Sequence, residues 1–127
     1  MTIRDGKTSV SQALLRNIWK EYNQTIFSEV NLEAPKVLRI VEAFEDQRVA
    51  SYLVTFKPCG GIVSEYSFLM PPNERAAREA MIHEMVHHCD AVVNGPSTEL
   101  KHGRYFFSWK EKVARAGFHL GMKVNWE

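Results

Sequence analysis

From about Ser11 to Phe27 apolar residues recur every three or four positions, and Leu15, Ile18, Trp19, Tyr22 and Ile26 form one broad face. That spacing predicts an amphipathic helix packed on a core. The period then changes. After a loop from Asn31 to Pro35, the stretches Lys36 to Glu42, Val49 to Lys57 and Ile62 to Leu69 are rich in Val, Ile, Tyr and Phe, as strands are. Glu45-Asp46-Gln47 marks a turn, and Pro58-Cys59-Gly60-Gly61 is a tight connection that predicts a hairpin of the second and third strands. A helical period returns after Pro71-Pro72. Asn73 is a good N-cap, Glu74 stands in the first turn, Ala76, Ala77 and Ala80 favour helix, and Asn94-Gly95-Pro96 stops it. Within it Ile82, Val86, Cys89 and Val93 recur as a core-facing stripe. Beyond the polar loop Ser97-Thr98-Glu99, Phe106, Trp109 and Val113 set out a further helix that Gly117 ends. Phe118 to Glu127 fits either a short strand or a docked tail.

This order predicts an α+β fold. An N-terminal helix precedes a three-stranded, largely antiparallel sheet, and two helices follow and cover it. With 127 residues, 45% of them hydrophobic, including seven Phe, four Tyr and three Trp, the chain suffices for one core and is expected to be a single domain over residues 1–127. No window approaches the roughly 18 apolar residues of a membrane span, and Met1 to Val10 lacks the apolar centre of a signal peptide, so the expectation is cytoplasmic. Cys59 and Cys89 form no Cys-x-x-Cys pair and read as free thiols, with Cys89 buried.

His83-Glu84-Met85-Val86-His87 brings in the chemistry. On a helix of about 3.6 residues per turn, His83 and His87 point within about 40° of each other and lie about 6 Å apart along the axis. Both can bind one metal ion. Glu84 is rotated by about 100°, too far for a comfortable ligand but well placed to take a proton from an attacking water. A catalytic zinc needs a third protein ligand and keeps a fourth position open. A metzincin would have Gly and His where this chain has Asp90 and Val93, so that subclass is excluded. Glu99 or Glu111 could serve as in thermolysin-type sites. His102 is the stronger choice, because it follows the helix stop and leads into the next helix. His88, about 100° around from His87, reads as a supporting or exposed residue rather than a ligand. An oxyanion stabiliser is expected, and Tyr105, Arg104, Tyr66 and His88 are candidates that spacing does not rank. Nothing near His119 suggests chemistry.

The run His83-Glu84-Met85-Val86-His87, followed by His102-Gly103-Arg104-Tyr105-Phe106, resembles the SprT-like zinc metalloprotease domain, the family of the Spartan and Wss1 proteases. The resemblance is sharpest over residues 73–109. It implies a zincin-like domain in which His83, His87 and His102 hold Zn2+ and Glu84 is the general base. Gly103 and Phe106 would be structural, Phe106 anchoring the second helix. Arg104 stands where many relatives carry Pro, and no Cys-x-x-Cys pairs follow.

The expected function is therefore that of a zinc metalloendopeptidase on protein substrates, with proteins on or near DNA among them as the resemblance implies. The alternative is a zinc-containing protein- or DNA-docking module, against which an intact Glu84 argues. A nucleobase deaminase would need His-x-Glu and Pro-Cys-x-x-Cys, which are absent. Sixteen basic against fifteen acidic residues give a net charge of +1, so no strong electrostatic footprint for DNA is evident. Lys101, Arg104, Lys110, Lys112 and Arg115 cluster near the third histidine but read as a solvated helix face. Any DNA association is expected to be weak or delegated to a partner.

Overall fold

The computed structural model describes residues 10–96, 102–124 and 126. The Ser97-Thr98-Glu99 loop, the alternative ligand Glu99, Lys101 and most of the Met1-to-Val10 segment lie outside the described residues. The first helix, α1, runs Gln12–Gln24, and Ser11 caps it by accepting a hydrogen bond from the Leu14 N–H at 3.0 Å. Strands β1 (Val37–Val41), β2 (Ala50–Phe56) and β3 (Ile62–Leu69) follow, then α2 (Glu74–Asn94) and two short helices, α3 (Arg104–Phe107) and α4 (Lys110–Arg115). The architecture is α+β.

The sheet is mixed, not largely antiparallel. Its strand order is β1-β3-β2, with β2 and β3 antiparallel as the hairpin requires and β1 parallel to β3. The reason is non-local. Residues 42–49 carry the chain from β1 past the position that β3 later fills, a distance of about 10 Å that so long a connection covers easily. β3 takes the centre because Ser64, Tyr66, Ser67 and Phe68 are all buried. Leu38 of β1 faces Tyr66, as does Tyr52 of β2, and these side chains turn towards the helices. The alternate residues Arg39 and Glu65 pair at 3.5 Å on the opposite face, so the helices cover one face only.

The two sheet edges differ. At β1 the Gln12 side chain of α1 accepts a hydrogen bond from the Ile40 N–H at 2.9 Å. Among the described residues β2 pairs with β3 alone, and its other side borders a cleft against α2. An open strand edge can pair with an extended chain.

Helix α2 is the centre of the molecule. Asn73 accepts from the Ala76 N–H at 2.8 Å and caps the helix, and Gly95 ends it with φ +69°, a left-handed conformation that glycine adopts without steric penalty. The sheet, α1 and α3 all contact it. Ala77, Ala80, Met81, Ile82, Met85, Val86 and Cys89 are consequently buried around several of its sides. Val93 departs from the expected stripe and is 55% exposed, because it lies in the last turn, where the covering elements no longer reach. Cys89 is buried and unpaired, and burial pushes its thiol up to about 12.

The single helix expected after His102 is two. Ser108 donates its hydroxyl hydrogen bond to the Tyr105 carbonyl, a local bond that competes with the regular ladder. Phe106, Trp109 and Val113 are nevertheless all buried in the core, so the apolar stripe survives the break. Gly117 closes the segment at φ +90°. The described part of the C-terminal segment is a docked tail without strand, anchored by the buried Leu120.

Candidate metal centre

One turn of α2 carries both His83 and His87, and their ring centroids lie 5.1 Å apart. His102 leads into the following helix and stands just outside its first turn. It precedes α3, whose N-cap is Gly103. Its ring centroid lies 5.1 Å from that of His83 and 5.0 Å from that of His87, so the three imidazoles form a nearly equilateral triangle. Phe106, the buried residue of α3, packs against all three at 4.9, 4.9 and 4.8 Å. An apolar ring behind three imidazoles fixes their planes and keeps water from one side of the group.

The three ligand nitrogens lie within 4.8 Å of one another. His83 Nε2 and His102 Nε2 are 3.2 Å apart. Zinc–nitrogen bonds of about 2.0–2.1 Å in a tetrahedron place neighbouring nitrogens about 3.3 Å apart, so this separation fits a shared ion. The chain can hold a metal ion here. Glu111, the other open candidate for third ligand, is exposed on α4 and paired with Arg115.

His83 is the most enclosed of the three, at 7% exposure. Burial first, and the neighbouring His102 second, push its pKa down to about 4, opposed by a hydrogen bond to the Gly121 backbone. Its Nε2 faces His102, and the Gly121 backbone lies close enough to oppose the shift. The tail thus takes part in the site through Gly121. No sequence signal announced it, since its role is played by a backbone atom.

Glu84 is buried, with Oε2 4.0 Å from His83 Nε2. Although it leaves the helix at a different angle, its carboxylate reaches the same pole as the ligand nitrogens. A cleft of about 920 Å³ opens there, lined by His83, Glu84, His87 and His102, by β2 with the turn before it, and by the tail at Met122 to Val124.

His88 turns away from the metal group into the core. Its Nδ1 lies 2.7 Å from the Tyr66 hydroxyl and its Nε2 3.1 Å from Ser64 Oγ. Ser64 Oγ is in turn 2.7 Å from the Tyr52 hydroxyl, and the Tyr52 ring stacks on the imidazole at 5.0 Å. The chain of hydrogen bonds ties α2 to β3 and β2. Burial drives the Tyr66 phenol well above its ordinary range, opposed by the Trp19 indole N–H, which itself makes no hydrogen bond of regular geometry. Of the four residues considered for the oxyanion, Tyr66 and His88 are therefore engaged with each other, and Tyr105 and Arg104 lie outside the cleft lining.

The same burial gives stability a pH dependence. It holds the His88 pKa down to about 4 in the folded chain, whereas an unfolded chain takes up that proton near pH 6.5. Between those values the unfolded state binds more protons. The contribution of neutral His88 is thus complete above about pH 6.5 and lost as pH falls through 4, a change on the order of 3 kcal/mol. Urea unfolding of metal-free wild type and His88→Gln across that range measures it. The expected result is a steeper acid loss in wild type, and equal slopes would contradict the assignment.

Of the basic residues near the site, Lys112 pairs with Glu29 at 2.9 Å and Arg115 with Glu111. Among the described residues no helix is long and apolar enough to cross a membrane. Comparison of the chain with protein-family models, with curated proteins and with solved structures gives no match.

Proposed function

We propose that this chain is a zinc-dependent metalloendopeptidase of the SprT-like, zincin type, with proteins as substrates. The observation that carries the reading is the convergence of His83, His87 and His102 with the Glu84 carboxylate at one pole, opening on a cleft beside a strand edge that no strand among the described residues pairs. When bound, Zn2+ would polarise the scissile carbonyl and make water nucleophilic near neutral pH. The donor set suits it, since imidazole nitrogen is a good zinc ligand and, among the described residues, three protein ligands converge.

The chain's own residues do the rest. Glu84 accepts a proton from the attacking water as its oxygen bonds to the carbonyl carbon, then delivers that proton to the amide nitrogen as the C–N bond breaks. The open edge of β2 holds extended substrate by main-chain hydrogen bonds, which recognise backbone rather than a particular side chain. Phe106 keeps the imidazoles oriented. Proteins bound to DNA belong to the reading as one substrate class. The net charge of +1 and the pairing of Lys112 and Arg115 leave DNA contact weak.

Metal removal tests the reading. Chelation is expected to abolish cleavage of a DNA-bound protein, and one equivalent of zinc per chain to restore it, with and without DNA in parallel. Cleavage that persists in the metal-free chain would sink the proposal. Cleavage indifferent to DNA would keep the peptidase and remove DNA from the account.

A further inference from the structure

Amide hydrolysis builds negative charge on the carbonyl oxygen, and donors already fixed in place stabilise that charge best. The cleft wall supplies two cationic side chains, Arg48 in the turn before β2 and Lys123 on the tail. Among the described residues no hydrogen bond or ion pair fixes the Lys123 ammonium. Arg48 is different. Its Nε lies 2.9 Å from each Asp46 carboxylate oxygen and its Nη2 2.7 Å from Oδ2, while its backbone N–H donates to Oδ1 at 3.0 Å. The next residue, Val49, is fixed to the sheet through its carbonyl, which accepts from the Leu69 N–H at 2.9 Å.

An exposed ion pair contributes little to stability, so the consequence of this one is geometric. Asp46 occupies the Nε edge of the guanidinium, and the Nη1 edge makes no hydrogen bond among the described residues. Arg48 and Glu84 line the same cleft; Asp46 is the main cause that raises the Arg48 pKa, and the Glu84 charge adds to it. We propose that Arg48 is a catalytic residue whose Nη1 edge donates to the carbonyl oxygen of the bond being cleaved, with Asp46 as the positioning residue that holds the guanidinium. This rests on the peptidase reading above. It adds donors on the β2 side of the cleft, opposite the histidines.

The test uses the full chain loaded with zinc, an internally quenched peptide as substrate and a phosphinic peptide as a mimic of the tetrahedral transition state. Arg48→Ala is expected to lower kcat about 10²–10³-fold, the usual effect of losing an oxyanion donor, with KM and zinc content nearly unchanged. Arg48→Lys recovers only part, because an ammonium lacks the planar fork. Asp46→Ala falls between wild type and Arg48→Ala in kcat, again without a change in KM. Phosphinic-peptide affinity falls with kcat/KM across the series, while affinity for a cleaved product peptide does not. A kcat in Arg48→Ala equal to wild type, or a loss confined to KM, would overturn the proposal even if wild type is a good peptidase. Should wild type bind zinc but cleave nothing, the peptidase reading falls. Phosphinic-peptide binding then decides separately: dependence on Arg48 supports the donor role, and independence removes it.

Discussion

Glu84→Gln is expected to bind zinc like wild type and to hydrolyse peptide bonds at least about 10²-fold more slowly, the lower range of what a positioned general base contributes. The substitution keeps shape and volume, so the buried position is filled as before and α2 has no reason to move. What disappears is the ability to take up a proton. The carboxylate lies 4.0 Å from His83 Nε2, which leaves room for a small molecule in contact with both the ion site and the base. Metal analysis after gel filtration, followed by initial rates on an unfolded protein, separates the two effects. A variant that binds zinc and cleaves at the wild-type rate would show that Glu84 is not the base. A zinc-containing docking module predicts a different result, with partner binding untouched by the substitution and no turnover in either protein.

The second large effect is at His102. His102→Ala is expected to lose zinc affinity by more than about 100-fold, since even outer partners of metal ligands contribute 10–100-fold. The fold should survive, because His102 is only partly buried and is not itself a member of the apolar core, which it meets at Phe106. Thermal unfolding distinguishes the cases. Zinc at about 100 times its dissociation constant stabilises the folded state by about 2.7 kcal/mol, which raises the wild-type midpoint, whereas His102→Ala should unfold like the metal-free protein with or without zinc. Undiminished zinc binding by His102→Ala would place the third ligand elsewhere.

Features fixed by local spacing were legible in the sequence. The α2 cap at Asn73, the stop at Gly95, the β2–β3 hairpin and the shared face of His83 and His87 depend on residues within a turn or two of one another. The approach of His102 was legible only as a preference. Periodicity located its neighbour Phe106, but the packing of that ring behind three imidazoles needs α3 docked on α2. The break at Ser108 escaped because the apolar spacing of Phe106, Trp109 and Val113 is the same in one helix or two.

His88 and Arg48 illustrate what spacing conceals. Angle alone kept His88 from the metal, yet its burial follows from Tyr66, Ser64 and Tyr52, which come from two strands distant in sequence. Arg48 lies between the expected turn Glu45-Asp46-Gln47 and the strand from Val49, and its residue type alone gave it no role. Its place in the cleft depends on β2 being an edge strand beside α2.

By itself, then, the sequence determined the first helix, the metal helix, the strands and the pair of histidines with a carboxylate between them, because these follow from backbone periods and capping bonds. Only the tertiary structure decided that β1 joins β3 in parallel, that β2 borders the cleft as an edge among the described strands, and that His102 and Arg48 reach that cleft. Those outcomes rest on which buried faces meet across long stretches of chain, and no local period encodes that choice.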